Sequence, residues 1–151
     1  MDVVDTKTRS AMMSGIRSKN TRPEILLRKY LHARGFRFRL HVKDLPGKPD
    51  IVLPRYRLCI FVHGCFWHRH PGCSFAATPK SNTKFWLQKF AANTTRDAKV
   101  DALLYEAGWR VFKIWECGLK QTNDNALGWL PVAIRGKTRY LNWPDTNVGQ
   151  L

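Results

Sequence analysis

The fold of this chain is decided by residues 57–73, which read RLCIFVHGCFWHRHPGC. Residues 57–63 are apolar on both faces, a pattern that predicts a strand in the centre of a sheet. Cys59 within it is interpreted as a buried apolar thiol. The remainder brings cysteines and histidines together among glycine and proline, so residues 63–73 are predicted to form a loop able to surround a tetrahedral metal ion.

The flanking segments predict helices on a mixed sheet. The patterns indicate a helix over 23–35, strands over 36–40 and 50–53, a helix over 85–107 and a strand over 109–115, with a further helix near 126–134 and little pattern after it. The predicted order is α-β-β-β-α-β, an α/β fold in a single domain. We divide it into a basic N-terminal arm or helix (1–20), a core (21–120) and a C-terminal segment without a clear prediction (121–151).

Charge points to a polyanionic partner. The 151 residues carry 26 Lys and Arg against 11 Asp and Glu, a formal net charge of +15. Neutralised phosphates release counterions, so this excess favours nucleic acid, with an acidic membrane surface as the alternative. No apolar run has the length of a membrane span, and the first residues lack the apolar core of a signal peptide. We therefore expect a soluble intracellular protein that does not bind membranes.

Four cysteines form the candidate metal ligands. In a secreted chain they could form disulfides, but the reducing compartment expected here favours metal binding. We predict a structural zinc ion held by Cys65, His70, Cys73 and Cys117. The alternative is a set of ordinary buried thiols and surface imidazoles.

In so basic a protein an acidic residue near the polyanionic ligand calls for an explanation, because its negative charge repels that ligand. Asp50 opens a predicted strand and could hold Mg²⁺, or it could simply cap a turn. His63 and His68 could lie beside it and accept a proton from water. Asp97 could orient one imidazole and Glu24 the other, although a helix-dipole charge or an intrahelical ion pair explains either acid equally well.

Large aromatic residues are the remaining feature of interest. Phe66 and Trp67 lie in the predicted loop, where they either pack on the body or form a wedge that enters between base pairs. Trp86 is open to the same two interpretations, whereas Trp109 is expected to pack in the core.

Several motifs, taken together, resemble the very short patch repair (Vsr) endonucleases. The similarity runs in order over residues 8–119 and is carried by PGKPD at 46–50, FVHGCFWH at 61–68, FW at 85–86, the segment 93–97, GWRV at 108–111 and WEC at 115–117. Two departures stand out. The spacing from His70 to Cys73 is one residue longer than the family pattern, and Val62 stands where a threonine is expected.

This resemblance implies a restriction-endonuclease-like core with a structural zinc. It also implies a Mg²⁺-dependent nick immediately 5′ of the T in a T:G mismatch, the product of 5-methylcytosine deamination. Double-stranded DNA would be the partner, together with other mismatch-repair proteins. The resemblance further suggests a bacterial cytoplasmic, nucleoid-associated protein, and since no segment reads as a dimer seam we expect a monomer.

The resemblance also implies residue roles. Asp50 and the main-chain carbonyl of Val62 would bind Mg²⁺, and His68 would be the general base. Supporting catalytic residues would be Glu24, His63 and Asp97, and zinc would be held by the Cys/His set above. The aromatic wedge would be Phe66, Trp67 and Trp86 from the major-groove side, with Met13 and Ile16 reaching the minor groove.

Two other functions remain open at this point. One is an endonuclease that cuts fully matched DNA, and the other is a zinc-stapled DNA-binding module without catalysis.

Overall fold

The computed structural model describes residues 20–120 and 126–144. Its elements, in chain order, are α1 (Arg22–Ala33), β1 (Arg39–Leu40), β2 (Ile51–Leu53), β3 (Leu58–His63), α2 (Cys65–His68), α3 (Thr83–Glu106), β4 (Arg110–Trp115), α4 (Glu116–Lys120), α5 (Trp129–Arg135) and β5 (Tyr140–Trp143). Short 3₁₀ turns lie at Pro54–Tyr56 and Ser74–Ala76. The predicted arm, with Met13 and Ile16, lies outside the described residues.

The strands form one mixed sheet in the order β1-β2-β3-β4-β5. The pairs β1–β2 and β2–β3 are antiparallel, and β3–β4 and β4–β5 are parallel. Parallel neighbours need a long crossover connection. Helix α3 lies in the connection from β3 to β4, and α4 and α5 lie in that from β4 to β5. The predicted α/β class and mixed sheet are therefore confirmed.

Side chains of the central strands alternate between two apolar layers, as the two-residue period of a strand requires. Leu58 and Ile60 pack with Leu27 and Leu31 of α1 in the larger core. On the other face, Phe61 packs in a second cluster with Leu104 of α3. Each fully buried leucine contributes about 1.5–3 kcal/mol. The sheet is covered on both sides, which explains why β3 is apolar from Leu58 to Val62.

Helix α1 begins where its sequence signals predict. The hydroxyl of Thr21 accepts a hydrogen bond from the amide of Glu24, and Pro23 stands in the first turn. The chain leaves the helix through Gly35, which has φ +82°. Helix α1 packs on the sheet through Leu27 and Leu31, and Glu24 lies on the same face one turn earlier, with only 1% of its surface exposed.

The structure corrects the prediction around β1. A strand was expected over 36–40, but β1 contains only Arg39 and Leu40, and both are exposed. Phe36 packs into the larger core before the strand begins. The partner strand β2 is three residues long and is followed by Pro54, which has no amide hydrogen for a ladder. The short β2 therefore offers few backbone groups with which β1 can form ladder hydrogen bonds.

Three further differences concern the later parts of the chain. Residues 65–68 form helix α2 within the predicted loop, and α5 begins at Trp129 after a turn at 126–128. Strand β5 was not predicted. Its Trp143 packs against Gly118 of α4, where a Cβ atom would lie 2.6 Å from the indole. The close approach of α4 to β5 thus requires a glycine.

The topology gathers polar ends at one edge of the sheet. β3 and β4 are parallel and end together, and β2 is antiparallel to β3 and begins beside that end. His63 closes β3, Asp50 immediately precedes β2, and α3 crosses the same edge. The carboxyl ends of parallel strands are where ligands bind in open α/β sheets. No helix in the described ranges is long and apolar enough to cross a membrane.

Candidate active site and metal centre

A cavity of about 460 Å³ opens at this edge of the sheet, between β3, β4 and α3. Acidic, imidazole and cationic side chains line it together. They are Asp50, Asp97, Asp101, His41, His63, His68, Lys43, Lys48, Arg96 and Lys113. Apolar side chains, among them Phe61 and Val100, form part of its wall. Such a cavity can hold an anion close to groups that exchange protons or bind cations.

Asp50 lies at the wall formed by β3. Its Oδ2 accepts a hydrogen bond of 2.8 Å from the amide of Val62, so the carboxylate lies directly beside the backbone of that residue. Burial raises the pKa of Asp50 to about 7, the Val62 hydrogen bond opposes the rise, and the charge of Glu24 adds to it. A carboxyl group in this state exchanges its proton for a cation near neutral pH.

The turn before Asp50 is fitted closely to α3. Gly47 has φ +74°, and a Cβ atom there would lie 2.5 Å from a methyl group of Val100. Only glycine tolerates both this conformation and this contact. The PGKPD segment therefore holds Asp50 against the cavity through a turn that other residues would push away.

His63 and His68 form a stacked pair over the cavity, with ring centroids 3.9 Å apart and planes 8° from parallel. Nδ1 of His68 lies 2.6 Å from Oδ2 of Asp97 on α3. Burial lowers the pKa of His63 well below its usual value, with further lowering by His68 and Lys113. His63 is therefore neutral at pH 7, and the Asp97 contact directs Nε2 of His68 away from α3.

Glu24 has a different imidazole partner from the one expected. The sequence suggested that it orients one of His63 and His68, but its Oε1 lies 2.5 Å from Nε2 of His41. Its Oε2 accepts a hydrogen bond of 2.9 Å from the amide of Asn20. Potential ligand atoms of Glu24, His41 and Asp50 lie within 4.8 Å of one another. The buried Glu24 and the half-buried Asp50 thus share one corner of the site.

The predicted metal ligands come together at a second centre. Ligand atoms of Cys65, His70, Cys73 and Cys117 all lie within 4.8 Å of one another, and this Cys/His cluster could hold a metal ion. Cys65 begins α2, Cys73 lies in the turn after it, and Cys117 is the second residue of α4, which follows β4 directly. Burial raises the pKa of the Cys65 and Cys117 thiols, so thiolates there require a nearby cation.

Aromatic side chains of α2 and α3 form a half-exposed platform beside the cavity. The ring of Phe66 lies 5.1 Å from that of Trp67 and 5.4 Å from that of Trp86. Phe90 is buried beneath them, and Asn93 on α3 donates a hydrogen bond of 3.0 Å to the carbonyl of Trp67. The three upper rings pack on the body and also present a surface, so neither earlier interpretation excludes the other. Trp109, by contrast, packs on the second cluster under Arg57.

Lys113 and His41 are among the cavity residues that sequence reasoning missed. Lys113 is only 8% exposed and pairs with Asp101 at 2.7 Å. A lysine inside the apolar strand RVFKIW was the signal that could have identified it. His41 carried no comparable signal, since it follows an exposed edge strand. Met13 and Ile16 lie outside the described residues.

Carboxylates and imidazoles in a cavity with several cationic side chains, at the strand ends, are the arrangement expected of a hydrolase of nucleic-acid phosphodiesters. A family described as "DNA mismatch endonuclease Vsr" matches residues 1–74 of the chain. The DNA mismatch endonuclease Vsr of Escherichia coli is 44% identical over 129 residues, which cover 83% of this chain and 82% of that protein. The chain belongs to this Vsr family of DNA endonucleases, as the sequence resemblance indicated.

Two further relatives agree with this assignment. The type II nicking enzyme V.XorIIP of Xanthomonas oryzae is 52% identical over 118 residues, covering 78% of this chain and 86% of the relative. The type II nicking enzyme V.NmeAIP of Neisseria meningitidis is 48% identical over 119 residues, covering 79% and 84%. The similarity therefore extends over most of the chain.

Proposed function

We propose that this protein nicks one strand of duplex DNA immediately 5′ of the T in a T:G mismatch that arises from 5-methylcytosine deamination, as the first step of very short patch repair. The observation that carries the proposal is the placement of Asp50 and the His68–Asp97 pair on the same basic cavity. Cationic side chains around it attract the DNA backbone, and the acids and imidazoles supply hydrolytic chemistry.

Asp50 and the main-chain carbonyl of Val62 would hold Mg²⁺. The donor set fits this ion, because magnesium prefers oxygen ligands and keeps several of its waters, so few protein ligands suffice. The pKa of about 7 for Asp50 also fits, because a bound cation offsets the free-energy cost of ionising a carboxyl group that is largely removed from water. Bound magnesium supplies positive charge opposite the developing charge on the phosphoryl oxygens.

His68 takes the proton from the attacking water. Asp97 holds Nδ1, which leaves Nε2 as the basic nitrogen and fixes the ring plane. His63 supports this arrangement by stacking on the ring, and because it stays neutral it adds no repulsion when His68 becomes charged. Glu24 stands at the Asp50 corner as a second carboxylate.

The Cys/His cluster would hold a structural zinc ion. In a tetrahedral site with ordinary Zn–S and Zn–N bonds, sulfur and nitrogen ligands lie about 3.6 Å apart. The distances from Nδ1 of His70 to the sulfurs of Cys117 and Cys65 are 3.5 Å and 3.7 Å. Nε2 of His70 lies 2.7 Å from the carbonyl oxygen of Pro144, a partner that directs Nδ1 toward the metal.

The aromatic platform of Phe66, Trp67 and Trp86 would enter the mismatch from the major-groove side. Its half-exposed rings sit on the buried Phe90, a support that a wedge needs in order to keep its shape while bases unstack. Met13 and Ile16 would reach the minor groove from the arm.

The wider architecture is part of the same proposal. We infer a restriction-endonuclease-like core over 21–120 that includes the loop 63–73, preceded by the arm 1–20 and completed by 121–151. The protein would act as a monomer in the bacterial cytoplasm, associated with the nucleoid and working with other mismatch-repair proteins.

Incubation with end-labelled T:G and matched duplexes, with Mg²⁺ and with EDTA, tests this function. We expect nicking of the T:G duplex alone, and only with the ion. Asp50→Ala should abolish nicking and leave mismatch binding intact, whereas Asp44→Ala, an exposed acid in the same connection, should nick normally. Equal cleavage of both duplexes would indicate a nuclease for matched DNA, and binding without scission under any divalent ion would indicate a non-catalytic binder.

A further inference from the structure

His41 is a cavity residue to which the proposed mechanism gives no role. It follows β1 directly and has φ +50°, the left-handed region that few residues other than glycine adopt. Its amide donates a hydrogen bond of 3.1 Å to the carbonyl oxygen of Asp50. This hydrogen bond ties the main chain of His41 to the residue that would bind the catalytic cation.

The side chain of His41 makes the second connection. Its Nε2 lies 2.5 Å from Oε1 of Glu24, a carboxylate with 1% exposure. Asn20 contacts the other oxygen, so the carboxylate is held from both sides. A buried carboxylate without such partners would leave its oxygens unsatisfied and its orientation unfixed. His41 thus links Glu24 to the backbone of Asp50 through one side-chain and one main-chain hydrogen bond.

We propose that His41 is a positioning residue for the divalent-cation site, holding the Glu24 carboxylate in a fixed orientation toward the Asp50 corner. This rests on the proposed function of that corner. Because magnesium keeps most of its waters, a second fixed carboxylate acts by accepting hydrogen bonds from them. Loss of the His41 contact therefore weakens cation binding without removing any direct ligand.

A matched pair of amide substitutions separates this role from a backbone role. His41→Gln places an amide nitrogen near the position of Nε2 and can still reach Glu24. His41→Asn is too short to reach it, but asparagine tolerates the left-handed conformation better than glutamine does. If the side-chain contact matters, the glutamine variant binds the cation better; if only the backbone matters, the asparagine variant does.

The measurement is Mn²⁺ binding to the zinc-loaded full chain without DNA, with free Mn²⁺ quantified by electron paramagnetic resonance. We expect His41→Asn to raise the dissociation constant about tenfold, as losses of supporting partners of metal ligands do. His41→Gln and the control His32→Gln, at an exposed histidine of α1, should stay close to wild type. In a Glu24→Gln background, His41→Asn should have no further effect.

Equal Mn²⁺ affinity in all variants, the reverse order of the amide pair, or additive effects of His41→Asn and Glu24→Gln would each overturn the inference. Thermal melting followed by circular dichroism identifies any variant that loses Mn²⁺ affinity because it does not fold. The Mn²⁺ affinity of the other member of the amide pair then tests the inference. The readout is independent of nicking. If the wild type fails to nick T:G duplexes yet shows the expected Mn²⁺ pattern, the proposed function fails and the role of His41 stands.

Discussion

Magnesium affinity should depend on pH through Asp50. The folded, metal-free protein raises the pKa of this group from 3.8 to about 7, chiefly because the carboxyl is buried. Only the ionised form binds a cation, so protons compete with Mg²⁺ throughout that interval. The apparent association constant should therefore fall about tenfold for each pH unit below 7 and become constant above it.

The raised pKa of Asp50 also makes the stability of the folded protein depend on pH, with a definite sign. A carboxyl whose pKa is raised by folding contributes stability that is fully present below pH 3.8 and is lost as the pH rises through about 7. The whole interval corresponds to roughly 4 kcal/mol, an upper bound because part of the group remains accessible to water. Magnesium at saturating concentration should recover stability on the alkaline side, where the carboxylate is ionised.

Isothermal titration calorimetry of the zinc-loaded protein with MgCl₂, between about pH 6 and pH 8, measures this dependence. Asp50→Asn should remove both the binding and its pH dependence, whereas Asp44→Asn, which alters an exposed acid, should change neither. An affinity that is the same at both ends of the range would refute the reasoning, because it would mean that Asp50 is already ionised without the cation.

Three other outcomes can be measured separately. Cys117→Ser should lose the bound zinc, about one ion per chain, and unfold at a lower temperature, because a structural zinc contributes directly to folding; a zinc-free protein with a wild-type melting curve would contradict this. Asp97→Asn should lower kcat for nicking by about 10²-fold with little change in KM, since the His68 tautomer is no longer fixed; an unchanged kcat would remove this pair from proton transfer. Trp86→Ala should weaken binding to a T:G duplex by about 1–3 kcal/mol in fluorescence anisotropy and leave matched-duplex binding unchanged; equal losses on both would exclude a wedge.

The centre of the fold was accessible from sequence because local and global preferences agree there. The apolar run of β3 is buried on both faces, and its position in the middle of the sheet follows from that burial. Cys65, Cys73 and Cys117 were placed together because a strand pattern immediately precedes Cys117. Such patterns reflect which residues are buried and where a strand ends, and both are visible in the order of apolar and polar residues.

The strands at the edges of the sheet were harder to predict from the sequence. The segment of β5 is half polar and becomes a strand only because β4 offers a parallel partner. Glu24 pairs with His41 rather than with His63 or His68, and this depends on where the short edge strand β1 ends, which leaves no periodic pattern in the sequence. Such contacts depend on the tertiary arrangement rather than on any local preference.

The position of the Cys/His cluster has a consequence for how the molecule comes apart. Its residues fasten the base of α2 to the end of β4, and through the Pro144 carbonyl they also secure the last strand of the sheet. Helix α2 carries His68 at one end and two of the platform rings along its length. Extracting the proposed zinc ion with a chelator would therefore release His68, the proposed proton acceptor, and the rings of the proposed wedge in one event, while the apolar layers on either side of the strands remain packed. Inactivation would precede melting.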